Sequence, residues 1–123
     1  MAYNAGLMPF TANGALAEKR RVKITSGTST TPPQVEYAGA TDKHIGVTEF
    51  AVATTEIVTV KLNNVGGSFE MTALDAIAKG AICYAAADGK ISASNAAPGT
   101  EMIGVMNEAS TANNDIVEVI PLV

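Results

Sequence analysis

His44–Leu62 reads HIGVTEFAVATTEIVTVKL, and Met102–Leu122 reads MIGVMNEASTANNDIVEVIPL. Each stretch opens on Ile-Gly-Val (Ile45-Gly46-Val47 and Ile103-Gly104-Val105) and crosses a Thr/Ala/Asn-rich link to an acidic residue, Glu56 or Asp115. Each closes on an apolar run of strand character, Ile57-Val58-Thr59-Val60 and Ile116-Val117-Glu118-Val119. The links are nine residues (Thr48 to Glu56) and ten residues (Met106 to Asp115), so the two copies match with one insertion. Two copies of one supersecondary plan in so short a chain predict a small β fold with internal pseudo-symmetry.

Working outward, the halves correspond further. Val22–Thr25 reads as a strand by alternation, a Ser/Thr/Pro loop follows, and Val35–Tyr37 is a second short strand. In the other half Ile82–Ala85 and Lys90–Ala93 flank Asp88-Gly89, a dipeptide suited to the left-handed positions of a hairpin turn. The pseudo-repeats are therefore placed at about 18–62 and 78–122, within a single β domain over 18–123. Between them, Asn63–Gly67 reads as a hairpin turn and Ser68–Thr72 as a strand. Ala73–Ala78, ALDAIA, is the one candidate for a helical turn, because Ala and Leu favour helix and Leu74 and Ile77 would share a face. Many short strands with regular turn signals predict an all-β barrel or sandwich.

Residues 1–17 place Tyr3, Leu7, Met8 and Phe10 among Ala, Asn, Gly and Pro9. Those breakers oppose a helix, and the spaced apolar residues lack neighbours of their own to pack on. The segment reads as an extended arm that orders on a partner.

Composition narrows the function classes. The 123 residues carry 21 alanines, no Trp, three Phe and three Tyr, so the core is built from small side chains and an oligomer is expected to supplement it. Net charge is −4, and only Glu18-Lys19-Arg20-Arg21 clusters charge, which argues against a nucleic-acid face. That cluster reads as a solvated strand start or as a basic contact for an acidic partner surface. Cys83, the only cysteine, excludes an internal disulfide and a cysteine-rich metal site, and is expected to be buried. The start of the chain lacks the pattern of a secretion signal, and no run approaches the ~18 apolar residues of a membrane helix, so no membrane partner is expected.

The chemistry-bearing residues do not converge. His44 is the only histidine and stands where the second copy has Met102, which suits packing better than catalysis. Glu56 and Asp115 are the best candidates for paired carboxylates, yet both follow polar links where a solvated acid at a turn is the ordinary explanation. No catalytic residue, metal ligand or cofactor is expected.

The layout resembles the capsid decoration (cement) proteins of tailed bacteriophages. The residues that carry the likeness are Ala15-Leu16, Val22-Lys23-Ile24, Ile45-Gly46-Val47 with its link to Ile57–Val60, and Phe69–Thr72. They continue through Ala78-Lys79-Gly80, Ile82-Cys83-Tyr84, Ala87–Lys90 and Ile103-Gly104-Val105 before Ile116–Val119. The family's Gly-Asp turn before the closing strand is replaced here by Thr55-Glu56 and Asn114-Asp115. The resemblance implies a compact, tulip-like β fold, a homotrimer on the outer surface of the virion head, the major capsid protein as partner, synthesis in the host cytoplasm and no enzymatic residues. The other reading is a β-rich surface- or ligand-binding module of a phage tail, fibre or adhesin. On the decoration reading, Tyr3, Leu7, Met8, Phe10, Leu16, Arg20 and Arg21 are the expected contacts to the capsid or a neighbouring subunit. Ile45, Val47, Ile57 and Val60 with Ile103, Val105, Ile116 and Val119 are expected to line one shared core. Gly46 and Gly104 are expected to allow a close backbone approach.

Overall fold

The computed structural model describes residues 6–26, 32–95 and 97–122. It is all-β, with strands β1 (Leu7–Ala12), β2 (Arg21–Ile24), β3 (Gln34–Tyr37), β4 (Gly46–Thr48) and β5 (Ile57–Leu62) in the first half. The second half holds β6 (Phe69–Thr72), β7 (Ile82–Ala85), β8 (Ile91–Ser92), β9 (Met102–Met106) and β10 (Ile116–Pro121). The first five strands form a closed barrel in the order β1-β3-β2-β4-β5, and the last five an open sheet in the order β6-β10-β9-β7-β8.

The two halves are the same unit twice. Arg21 stands opposite Val47, and Val47 opposite Lys61; likewise Ile82 stands opposite Val105, and Val105 opposite Ile120. Thr11 faces Ile57 as Thr72 faces Ile116. Ala12 and Ala73 each bracket the tip of the repeat link, accepting from Thr55 N and Asn114 N and donating to Glu56 O and Asp115 O. Backbone bonds join Leu16 to Val52 and Ile77 to Ser110, folding each link across the end of its barrel. Positive φ recurs at matched positions, Lys19 (56°) with Gly80 (83°) and Thr55 (69°) with Asn114 (75°). The expected repeat is present, and it starts earlier than the sequence reading placed it. The units are β1–β5 and β6–β10, not 18–62 and 78–122.

That shift corrects the arm. Leu7–Ala12 is a barrel strand, paired along β5 and, at Thr11 and Ala12, in parallel with β3. Phe10 and Ala12 are buried in the first core with Leu16, Val22, Val35, Val58 and Val60. Pro9 does not break the strand for a geometrical reason. Backbone bonds to β5 fall on Gly6 and Ala12, hence on the even-numbered positions, so the N of Pro9 faces away from β5. On that side β3 reaches only Thr11 and Ala12, and no ladder bond is lost.

Three smaller expectations also change. Ala73–Ala78 is not helical: Ala73 bridges Ile91 and Ile77 bridges Ser110, with a bend at Leu74 and Asp75 between them. Asn63–Gly67 has the expected positive φ at Gly66 (73°) and Gly67 (81°) and includes a 3-10 turn at Asn63–Val65. It joins the two units instead of closing a hairpin, since β5 and β6 lie in different sheets. The Asp88-Gly89 hairpin is present, with φ of 57° and 70°, pairing Tyr84 with Ser92 and Ala85 with Ile91.

The core divides in two. Val58 and Val60 point inward in one unit and Val117 and Val119 in the other, leaving Ile57 54% exposed and Ile116 39% exposed. The inward set is the other parity of the run from the one expected for Ile57 and Ile116, and Val105 is only partly covered. Val47 crosses between the units. It is 2% exposed and belongs to the second unit's core with Phe69, Met71 and Val119. Val47 packs there from β4, which runs beside β6, and the second sheet is not closed. β8 and β6 meet only through the Ala73–Ile91 bridge, where β3 and β1 pair over two residues.

Candidate functional site

The seam between the units collects most of the charged chemistry. Arg21, wholly buried, starts β2 and aims its guanidinium at the β7–β8 turn. Its Nε donates to Lys90 O (3.1 Å) and its Nη2 to Lys90 O (2.8 Å), Ala86 O (2.8 Å) and Ala38 O (3.3 Å). Burial lowers its pKa to about 10, which leaves it charged at neutral pH. Arg20 donates from Nη1 to Asp88 O (3.0 Å) and stacks over the Tyr37 ring at 5.4 Å. Thr72 N and Oγ1 donate to Lys19 O, tying β6 to the turn before β2. The basic cluster is thus an internal fastener between units, which corrects its assignment as an outer contact.

The other expected contact residues divide in the same way. Phe10 and Leu16 are 2% and 4% exposed, and Met8 is half-buried against the first core. Phe10 and Leu16 are fully used inside the barrel, and Met8 in part. Leu7, at 41%, keeps an exposed side chain. Tyr3 lies outside the described residues.

Two clefts lie between the units. One, of about 270 Å³, is lined by charge that, Glu70 apart, is already matched within the chain. Lys19 pairs with Glu49 (3.4 Å), Lys61 donates to Ser68 O (2.8 Å) above the Phe69 ring, and Ser68 and Asn107 donate to Glu118. The other, of about 400 Å³, is largely apolar, with Met71, Met102, Ile103 and Leu122 around His44. Here the matched residues His44 and Met102 line one space. Burial, then the charge of Arg21, lowers the His44 pKa to about 4, so it is neutral at physiological pH. Glu101, the one carboxylate at this cleft, pairs with Lys43 at 3.5 Å.

The remaining candidates are structural. Glu56 Oε1 accepts from Ala53 N, and Asp115 Oδ2 accepts from Thr111 and Ala112. Each carboxylate caps its own link, and those bonds from Thr111 and Ala112 lower the Asp115 pKa. Cys83 is buried, and burial pushes its thiol up to about 11, far from a reactive thiolate. Among the described residues, no group of three His, Cys, Asp or Glu side chains is placed to hold a metal ion. No helix there is long and apolar enough to cross a membrane.

Sequence reading missed the most informative feature, the first strand of the repeat. The signal was present: Thr11-Ala12-x-x-Ala15-Leu16-Ala17 recurs as Thr72-Ala73-x-x-Ala76-Ile77-Ala78.

A β unit present twice, once closed and once open, with Arg20 and Arg21 of the first bound to main-chain carbonyls of the second, defines a two-part β module. The chain belongs to the phage cement protein family, which it matches over residues 5–121. Membership gives it a capsid-stabilising decoration role. Its fold is similar to that of the head fiber gp8.5 N base of bacteriophage phi29, with a TM-score of 0.77 and 15% identity over 94% of this chain and 92% of that one. No curated protein matches the chain.

Proposed function

We propose that the chain acts as a homotrimeric cement subunit, binding the major capsid protein on the outer surface of an icosahedral phage head after synthesis in the host cytoplasm. The observation that carries this reading is the family match over nearly the whole chain, residues 5–121. A protein that binds the assembled shell and not its dissociated subunits stabilises the shell by mass action. Repetition over a lattice multiplies modest single contacts into firm attachment. The fold suits such a part: the buried Arg21 guanidinium and the Lys43–Glu101 ion pair tie its two units together, and no step of chemistry is assigned to it. Leu7, exposed at the start of β1, remains a proposed contact.

The test is to mix purified protein with heads that lack it, then measure co-sedimentation and the temperature at which the heads rupture. Saturable binding and a higher rupture temperature are expected. Absence of co-sedimentation at any protein concentration would overturn the reading.

A further inference from the structure

The duplication allows one face to be compared in two settings. In the first unit the outer row Arg21–Val47–Lys61 runs across β2, β4 and β5 and is covered by the second unit, through β6 and the turn after β7. Its residues are buried or committed: Arg21 to main-chain carbonyls, Val47 to the second core, Lys61 to Ser68 and Phe69. The same row in the second unit is Ile82–Val105–Ile120, across β7, β9 and β10. Among the described residues it is left partly open to solvent. Ile82 is 41% and Ile120 47% exposed, and the irregularity in the β7–β9 register brings Met102 (48%) opposite Tyr84 beside them.

The side chains differ as the two settings require. Arg21, Lys23, His44, Val47 and Lys61 in the first unit correspond to Ile82, Tyr84, Met102, Val105 and Ile120 in the second. The covered copy holds the charges, each with a partner: Arg21 and Lys61 on main-chain carbonyls and Lys23 on Asp42. The uncovered copy carries no charge, and its one polar atom is the Tyr84 hydroxyl. A row of large aliphatic side chains spanning three strands, roughly 10 Å across, is a surface that water leaves favourably once a partner is present.

We infer that this face is where copies of the chain meet, three of them turning the outer side of β7, β9 and β10 toward a common axis. Two features favour a second copy over other occupants. The matched face in the first unit is already covered by a copy of the same fold. Between chains of net charge −4, contact through Ile82, Tyr84, Met102, Val105 and Ile120, none of them charged, also brings no like charges together. The inference rests on the trimer proposed above and supplies its contact surface.

The experiment is sedimentation equilibrium on the full chain, comparing wild type with Ile82→Glu/Ile120→Glu and with Ile57→Glu as control. Ile57 is an outward residue of the other unit, 54% exposed and off the face. The wild type and the control are expected at three times the chain mass, and the double variant at one third of that, with an unchanged circular-dichroism spectrum. A double variant that stays trimeric overturns the proposal. So does a monomeric wild type, and loss of head binding by the folded double variant would then assign the face to the capsid. Should the double variant not fold, Ile120→Lys alone is read by the same criteria. A trimeric wild type that fails to bind heads overturns the cement reading and leaves this face as the trimer contact.

Discussion

Gly46 and Gly104 hold the same place in the two units, each lying against a carbonyl of the neighbouring strand, Lys61 O and Ile120 O. A Cβ at either glycine would fall well inside contact distance of that oxygen. Neither has a positive φ, so the constraint is close approach of backbone and not conformation. Gly46→Ala and Gly104→Ala are each expected to cost about 2–3 kcal/mol and lower the melting temperature by roughly 10 °C. Differential scanning calorimetry would show it. A melting temperature within a degree of wild type for either variant would refute the packing argument.

Truncation at the start of the chain is expected to unfold the protein. Removing residues 1–12 deletes β1, exposing β5 along its full length and emptying the place of Phe10. Phe10→Ala alone should cost about 3–5 kcal/mol. Denaturant titrations of the two variants check this, and a truncated chain with native far-UV dichroism and cooperative melting would contradict the barrel's dependence on β1.

Arg21 should be irreplaceable by lysine. Its guanidinium serves carbonyls of Ala38, Ala86 and Lys90 at once, a forked geometry that a point ammonium does not reproduce. Both Arg21→Lys and Arg21→Met leave buried acceptors unpaired and are expected to destabilise by about 3 kcal/mol. If Arg21→Lys melts as wild type does, the fork is not what holds the seam.

Acid sensitivity should appear in two windows. His44 has its pKa lowered from 6.5 to about 4, so between those values the unfolded chain takes up a proton that the folded chain refuses. Stability therefore falls as pH drops from 6.5 to 4, with no further loss from this group below that. Asp42 and Asp115 are lowered from 3.8, the first mainly by its bond with Lys23, and their contribution disappears only as pH falls below 3.8. His44→Met, which copies Met102, should flatten the upper window and leave the lower one. Urea midpoints measured from pH 3 to 8 decide it, and an unaltered upper slope in the variant would rule out His44 as its source.

The sequence made the repeat, the two Ile-Gly-Val strands and the Asp88-Gly89 turn legible because each depends on local residue chemistry. Parity was not legible at Ile57–Val60. Ile57, Val58 and Val60 are all apolar, so the pattern does not say which face turns inward; that is settled by the register with β1, which sets Phe10 opposite Val58. Pro9 disguised β1 as an arm because its harmlessness depends on where β3 ends. The roles of Arg20 and Arg21 were hidden for the same reason, since their acceptors are main-chain carbonyls of residues far along the chain.

The unequal closure of the two barrels gives the chain a direction in time. The first unit seals itself by pairing β1 with both β3 and β5, using only residues that leave the ribosome before Asn63. The second lacks that wall and takes Val47 of the first as part of its interior. During synthesis the earlier barrel is complete before the later one begins to emerge, and it presents a finished surface on which the later strands assemble. The reverse order offers no such surface, because without the first unit the second core lacks Val47.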